Sequence, residues 1–276
     1  MSATCLKTHK SFGGTTQFWE HESSSTKTKM KFSTFTPSGP VKGAILWLSG
    51  LTCTDENFIT KAGAQKRLEE KGLMVICPDT SPRGLNLPGE HDSYDFGSGA
   101  SFYVDATTEG YRDHYRMFTY IAQELPTLVN SQFGVSKLSI MGHSMGGHGA
   151  LVLALRNPTV FKSVSAFSPI VNPTQCPWGQ KALPGYLGGD TAAQAKYDAT
   201  ELVKFGARFP GTILIDQGTK DEFYEKKQLL PENFEAAARA KDQAVRVNYR
   251  DGYDHSYYFI STFIDSHIDH HAAALS

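Results

Sequence analysis

Short apolar runs separated by stretches of helical period mark most of the chain. Ala44–Leu48, Leu73–Cys77, Lys137–Met141, Ser163–Phe167 and Thr212–Asp216 have strand length, and Ala244–Tyr249 alternates apolar with polar positions. Helices are predicted over Gly63–Glu70, ended by Lys71-Gly72, and from about Arg112 to Asn130. In the latter, Phe118, Ile121, Leu125 and Leu128 recur at helical spacing and Pro126 introduces a kink. A further helix follows Gly146 and stops near Pro158, and Asn233–Lys241 and Tyr257–His267 fill the remaining helical slots. Ahead of all these, Thr15–Glu22 and Lys29–Phe35 read as an antiparallel hairpin around the turn Ser23–Ser25. Such alternation predicts an α/β fold over a single domain, 1–276: a mostly parallel central sheet with helices on both faces and an N-terminal hairpin. Ligands then bind at the carboxyl ends of the strands. Pro82–Gly110 and Pro169–Asp190 fall outside the rhythm and are expected to be long loops near that end.

Composition narrows the class. Hydrophobic residues make up 40% and charged residues 20%, enough for a sizeable core. A formal net charge of -1 gives no electrostatic case for nucleic acid or an anionic membrane as partner. The first ten residues lack the apolar stretch of a secretory signal, and no apolar run approaches membrane-spanning length. Cys5, Cys53, Cys77 and Cys176 have neither C-x-x-C spacing nor paired histidines, so free thiols in a reducing, cytoplasmic setting are expected.

The chemistry concentrates at Gly142-His143-Ser144-Met145-Gly146, a G-x-S-x-G turn between an apolar strand and a helix. A serine hydroxyl is a weak nucleophile that needs a base within reach, and a sharp strand-to-helix turn lifts its Oγ out at the carboxyl edge of a sheet. The turn also leaves the amide of Met145 at a helix N-terminus, aimed where an oxyanion would form. Chain order in α/β-hydrolases then requires an acid and a histidine downstream. His255 follows the last strand in the glycine-bearing loop Asp251–Ser256, whereas His267, His270 and His271 lie at the tail and are expected on the solvated surface. Asp221, in the loop beyond Gly218, is favoured as the acid over Asp216 at the end of its strand; Glu222 and Asp254 fit less well. The loop after Leu48 supplies a second amide, that of Leu51. Cys53, two residues on, is either a buried small hydrophobe, the reading preferred from position alone, or a thiol at the rim of the site. His143 and His148 read as packing or pocket-lining residues, with His148 able to touch substrate. Trp178 either packs on the domain or walls off space beside Ser144.

Several longer segments carry a resemblance. Leu48-Ser-Gly-Leu-Thr-Cys-Thr-Asp-Glu-Asn, Cys77-Pro-Asp-Thr-Ser-Pro-Arg-Gly, Phe102-Tyr-Val-Asp-Ala-Thr, Phe167-Ser-Pro-Ile-Val-Asn-Pro, Gln217-Gly-Thr-Lys-Asp and Tyr253-Asp-His-Ser-Tyr-Tyr-Phe-Ile, with the serine turn itself, resemble the S-formylglutathione hydrolases, or esterase D family, over nearly the whole chain. The resemblance implies an α/β-hydrolase fold and hydrolysis of S-formylglutathione, with side activity on short-chain esters. It implies a triad of Ser144, Asp221 and His255, oxyanion amides from Leu51 and Met145, and an active-site tryptophan and cysteine at Trp178 and Cys53. It also implies a homodimer and no metal or organic cofactor. Ser101, where the family pattern has glycine, and Glu109-Gly-Tyr-Arg, where it often has Pro-Trp, depart from it.

Overall fold

The computed structural model describes residues 2–276. Among the described residues one sheet is built from β1 (Thr4–Ser11), β2 (Gly14–Glu22), β3 (Lys29–Thr36), β4 (Gly43–Leu48), β5 (Leu73–Pro78), β6 (Leu138–His143), β7 (Phe161–Phe167), β8 (Ile213–Gly218) and β9 (Val245–Arg250). Their spatial order is β1-β2-β3-β5-β4-β6-β7-β8-β9. The first three form an antiparallel meander, β3 joins β5 antiparallel, and every pairing from β5 to β9 is parallel. The helices are α1 (Glu56–Lys61), α2 (Gln65–Lys71), α3 (Met117–Thr119), α4 (Leu125–Phe133), α5 (Met145–Arg156), α6 (Pro177–Leu187), α7 (Thr191–Ala195), α8 (Ala199–Lys204), α9 (Glu222–Glu225), α10 (Pro231–Ala240) and α11 (Tyr257–Leu275).

Side chains of a strand alternate between faces, and the parallel strands show it directly. In β4, Ala44, Leu46 and Leu48 join the apolar cluster under α5, α6, α8 and α10, while Ile45 and Trp47 join the one under α1, α2 and α11. Burial of both sheet faces is what permits the uninterrupted apolar runs of β4 and β5. Among the described residues no helix is long and apolar enough to cross a membrane.

The sheet differs from expectation at its N-terminal edge. A further strand, β1, pairs along β2, so the predicted hairpin is one half of a meander. Its side chains are exposed on both faces, and an edge strand of that kind carries no burial pattern to read. The turn Ser23–Ser25 is anchored by Glu124, whose carboxylate accepts from the amides of Ser24 and Ser25 at 2.8 Å each and from Ser23 Oγ at 2.9 Å.

The predicted helix from Arg112 to Asn130 starts later, at Met117, and contains a π-turn over Tyr120–Glu124 between α3 and α4. The widened turn directly precedes Pro126 and accommodates its ring and missing N–H within one continuous helical run. Gly63-Ala64 precede α2 rather than belonging to it, and α1, α7, α8 and α9 were not predicted. Pro169–Asp190 is largely structured: a 3-10 turn over Pro173–Gln175 leads into α6.

The tail histidines do not lie on the solvated surface expected of them. The final helix continues to Leu275, and His267 and His271 lie on its buried stripe with Phe259, Ile260, Ile264 and Ile268. Both are fully buried, and His270 is half-buried. They meet a row of polar side chains on the sheet. His267 Nδ1 and His271 Nε2 lie 2.9 and 2.8 Å from Ser165 Oγ, His271 Nδ1 is 2.7 Å from Ser163 Oγ, and Ser163 Oγ is 2.7 Å from Ser139 Oγ. Hydroxyls at the right register make these histidines interior residues.

Candidate active site

Ser144 joins β6 to α5 with φ 58° and ψ -119°, a backbone conformation that a serine adopts only under constraint. Three backbone bonds hold it there: Ser144 N donates to Phe167 O at 3.0 Å, and His148 N and Ile170 N donate to Ser144 O at 3.0 and 3.2 Å. The flanking glycines are a steric requirement. A Cβ on Gly146 would lie 1.9 Å from Leu48 O, and one on Gly142 would lie 2.2 Å from Gly146 O.

His255 lies in the loop between β9 and α11, and its Nδ1 is 2.5 Å from Asp221 Oδ2. Asp221 is fully buried and caps α9. Its Oδ1 accepts from Phe223 N at 2.8 Å and Tyr224 N at 3.3 Å, and its Oδ2 also accepts from Gln217 Nε2 at 3.3 Å. Burial alone would raise the carboxyl pKa, but the bond and charge of His255, with the Phe223 amide, hold it below the usual carboxylate range. Asp216 is committed elsewhere, to Asn248 Nδ2 and Arg250 Nε at 2.7 Å each. Asp254 accepts from Ser256 N and Oγ at 3.0 and 2.7 Å.

Ser144 and His255 line one cavity of about 240 Å³ with His143, Leu51, Cys53 and Trp178. Gly50, Thr52, Tyr94 and Phe223 complete its wall. The His255 ring is packed between His143, 4.4 Å away by centroid, and Phe223, 4.8 Å away and edge-on. Desolvation first, then the neighbouring His255, pushes the His143 pKa well below its ordinary value, so that ring is a neutral wall. The amides of Thr52 and Cys53 are bonded to Gly99 O and Gly50 O at 2.9 and 3.3 Å. Those of Leu51 and Met145 have no acceptor among the described residues.

Trp178 stands in the first turn of α6, not in a loop; its Nε1 donates to Tyr94 Oη at 3.1 Å and its ring lies 4.8 Å from Phe223. Cys53 is half-buried on the cavity wall, so the rim reading replaces the preferred core reading. Its thiol pKa is raised, chiefly by burial, and the group is a neutral thiol at neutral pH. His148 does not reach the substrate space. It is fully buried, its Nε2 meets Phe102 O at 2.8 Å, its pKa is pushed down to about 4 by burial, and it does not line the cavity. Ser101 serves the same region: its Oγ donates to Thr80 O at 2.6 Å and accepts from Tyr103 N at 3.1 Å, while Tyr103 Oη reaches Ser49 O at 2.8 Å. Tyr94 and Phe223 were not anticipated. Phe223 had a signal, since it lies two residues beyond the favoured acid; Tyr94, inside the 82–110 segment, had none.

The Esterase family model matches residues 23–270. An S-formylglutathione hydrolase of Rattus norvegicus is 52% identical over 276 residues, covering 98% of each chain. The chain belongs to the S-formylglutathione hydrolase family. An Arabidopsis thaliana S-formylglutathione hydrolase is likewise 52% identical, over 96% of this chain and 95% of its own. A solved S-formylglutathione hydrolase structure from Agrobacterium tumefaciens superposes with a TM-score of 0.95 at 46% identity, covering 99% of both chains. S-formylglutathione hydrolase family membership also accounts for the sheet order, which is that of an α/β-hydrolase with its nucleophile turn after a central strand.

Proposed function

We propose that the protein hydrolyses S-formylglutathione to glutathione and formate through a covalent formyl-enzyme on Ser144. The observation that carries this reading is the His255–Asp221 bond beside the cavity that holds Ser144, in a chain 52% identical over its length to S-formylglutathione hydrolases. Asp221 holds the His255 Nδ1–H, which leaves Nε2 as the base. His255 takes the Ser144 proton while Oγ attacks the formyl carbon, and the oxygen charge falls to the amides of Leu51 and Met145. The C–S bond then breaks, and the departing glutathione sulfur takes the proton from His255, which returns the imidazole to its neutral form. Water, deprotonated by His255, attacks the formyl ester, and formate departs as Ser144 regains its proton.

The cavity size suits this acyl group. About 240 Å³ bounded by Trp178, Tyr94, Phe223 and Leu51 accommodates a formyl or acetyl group. Short oxygen esters therefore enter the same site as secondary substrates. The four unpaired cysteines suit a cytoplasmic location. The test is kcat/KM for S-formylglutathione against p-nitrophenyl acetate on one preparation. A clear preference for the thioester is expected, and a preference for the oxygen ester would make the protein a general short-chain carboxylesterase.

A further inference from the structure

A second cleft, of about 550 Å³, opens beside the acyl cavity and is lined by Lys61, Ser256, Tyr257, Tyr258 and Ser261. Adjacent residues line the two hollows: Ser256 follows His255, and the centroid of the Tyr257 ring lies 6.3 Å from that of His143. Tyr258 is 84% exposed, an aromatic wall with little protein against it.

The cations around the site are not equivalent. Arg83 is paired with Asp79 at 2.7 Å and spends another N–H on Cys53 O. Lys181 is paired with Asp95, and Lys226, over the Phe223 ring, is paired with Glu222 at 2.7 Å. Lys61, at the C-terminal end of α1, has no hydrogen bond and no carboxylate partner among the described residues; its Nζ lies 5.8 Å from the Tyr257 ring centroid. An uncompensated ammonium on a cleft beside the reaction centre suits an anionic substituent carried by the substrate rather than by the protein.

We infer that Lys61 and its cleft bind the glycine carboxylate of the glutathione leaving group. The inference rests on the proposed function and deepens it. Glutathione's γ-glutamyl end carries both an ammonium and a carboxylate, so the single net negative charge of the thioester substrate belongs to its glycine end. That carboxylate lies roughly two residue lengths, on the order of 7 Å, from the reacting sulfur, which sets it outside the acyl cavity and in an adjoining one. Tyr257 and Tyr258 supply apolar surface for the peptide, and Lys61 supplies a charge-assisted bond. Such a contact exists before the reaction and during it, so it acts on KM and leaves kcat nearly unchanged.

The experiment compares wild type, Lys61→Ala and Lys61→Arg on S-formylglutathione, on its glycinamide analogue (the glycine carboxylate amidated), and on p-nitrophenyl acetate. For S-formylglutathione, Lys61→Ala raises KM by about three- to tenfold, and Lys61→Arg restores most of it. The glycinamide shows the raised KM already with wild type and is indifferent to Lys61→Ala. The p-nitrophenyl ester is hydrolysed alike by all three proteins, which also verifies that they are folded. An unchanged KM for S-formylglutathione in Lys61→Ala, or an equal rise with the glycinamide, overturns the assignment of this carboxylate to Lys61. A wild-type protein that does not prefer S-formylglutathione over p-nitrophenyl acetate instead overturns the proposed function, and the inference with it.

Discussion

Strand β8 and the loop after it supply two aspartates, and each faces a histidine. Asp221 and His255 are 2.5 Å apart; the carboxylate is fully buried but the imidazole side chain is 15% exposed and borders the cavity of Ser144. Asp216 and His267 are 3.6 Å apart, beyond hydrogen-bond distance, and neither side chain is exposed. Asp216 is neutralised by Arg250, and His267 turns its other nitrogen to Ser165. Burial lowers the His267 pKa in spite of the nearby carboxylate, so the ring stays neutral there. An Asp–His pair is thus a chemical device only where one imidazole nitrogen is left for a substrate. Sealed beneath α11, the same two residue types are part of the core.

The largest test of that contrast exchanges each carboxylate for its amide. Asp221→Asn should lower kcat by about 10⁴-fold with the fold intact, because the amide no longer fixes the His255 tautomer. Asp216→Asn should leave kcat within a few-fold but lower unfolding free energy by about 2–3 kcal/mol, since Arg250 loses the charge it is buried against. Steady-state kinetics and urea denaturation on both variants decide the matter, and the reverse pattern would assign catalysis to the wrong aspartate.

Two cysteines repeat the contrast on a smaller scale. Cys53 lines the open cavity and Cys77 is sealed in the sheet, its thiol pushed up by burial. A bulky maleimide should abolish most activity of the folded protein by filling the cavity at Cys53. Cys53→Ser should retain activity and resist the reagent, whereas Cys77→Ser should remain as sensitive as wild type. Inhibition that persists in Cys53→Ser would separate this thiol from the site.

The sealed side should show itself through pH. Folding depresses the pKa values of His267 and His271, so below about 6.5, where a free histidine protonates, the unfolded chain binds more protons than the folded one. Stability is therefore complete above that pH and falls as acid is added, by at most about 1.4 kcal/mol per pH unit for each such histidine. His271→Gln should flatten the decline of unfolding free energy between pH 6.5 and 5. An unchanged slope would show that this ring does not contribute.

What could be read beforehand divides along the same line. The open site was legible because its parts are local in sequence or constrained by chain order: the glycines around Ser144, an acid after one strand, a histidine after the next. The parallel strands were legible because burial on both faces leaves uninterrupted apolar runs. His267 and His271 were misplaced because a polar residue near a terminus looks solvated until strand register sets Ser163 and Ser165 opposite it. The π-turn before Pro126 and the all-exposed β1 likewise depend on partners that periodicity along one segment does not reveal. Tyr94 reaches the cavity only through the path of the 82–110 segment, which no local pattern fixes.

One feature of the topology bears on when the site comes into being. Leu51, Ser144 and Asp221 leave the ribosome in that order, and His255 and the helix that covers the sheet beneath it follow all three. The sheet cannot close its second face until α11 docks, since Phe259, Ile264 and Ile268 complete the cluster with Trp47 and Phe167. A nascent chain that stops short of His255 holds the serine turn with no histidine from that loop beside it, and under the proposed mechanism it has no base. Under that mechanism, hydrolytic competence arrives only once α11 has been made and has docked.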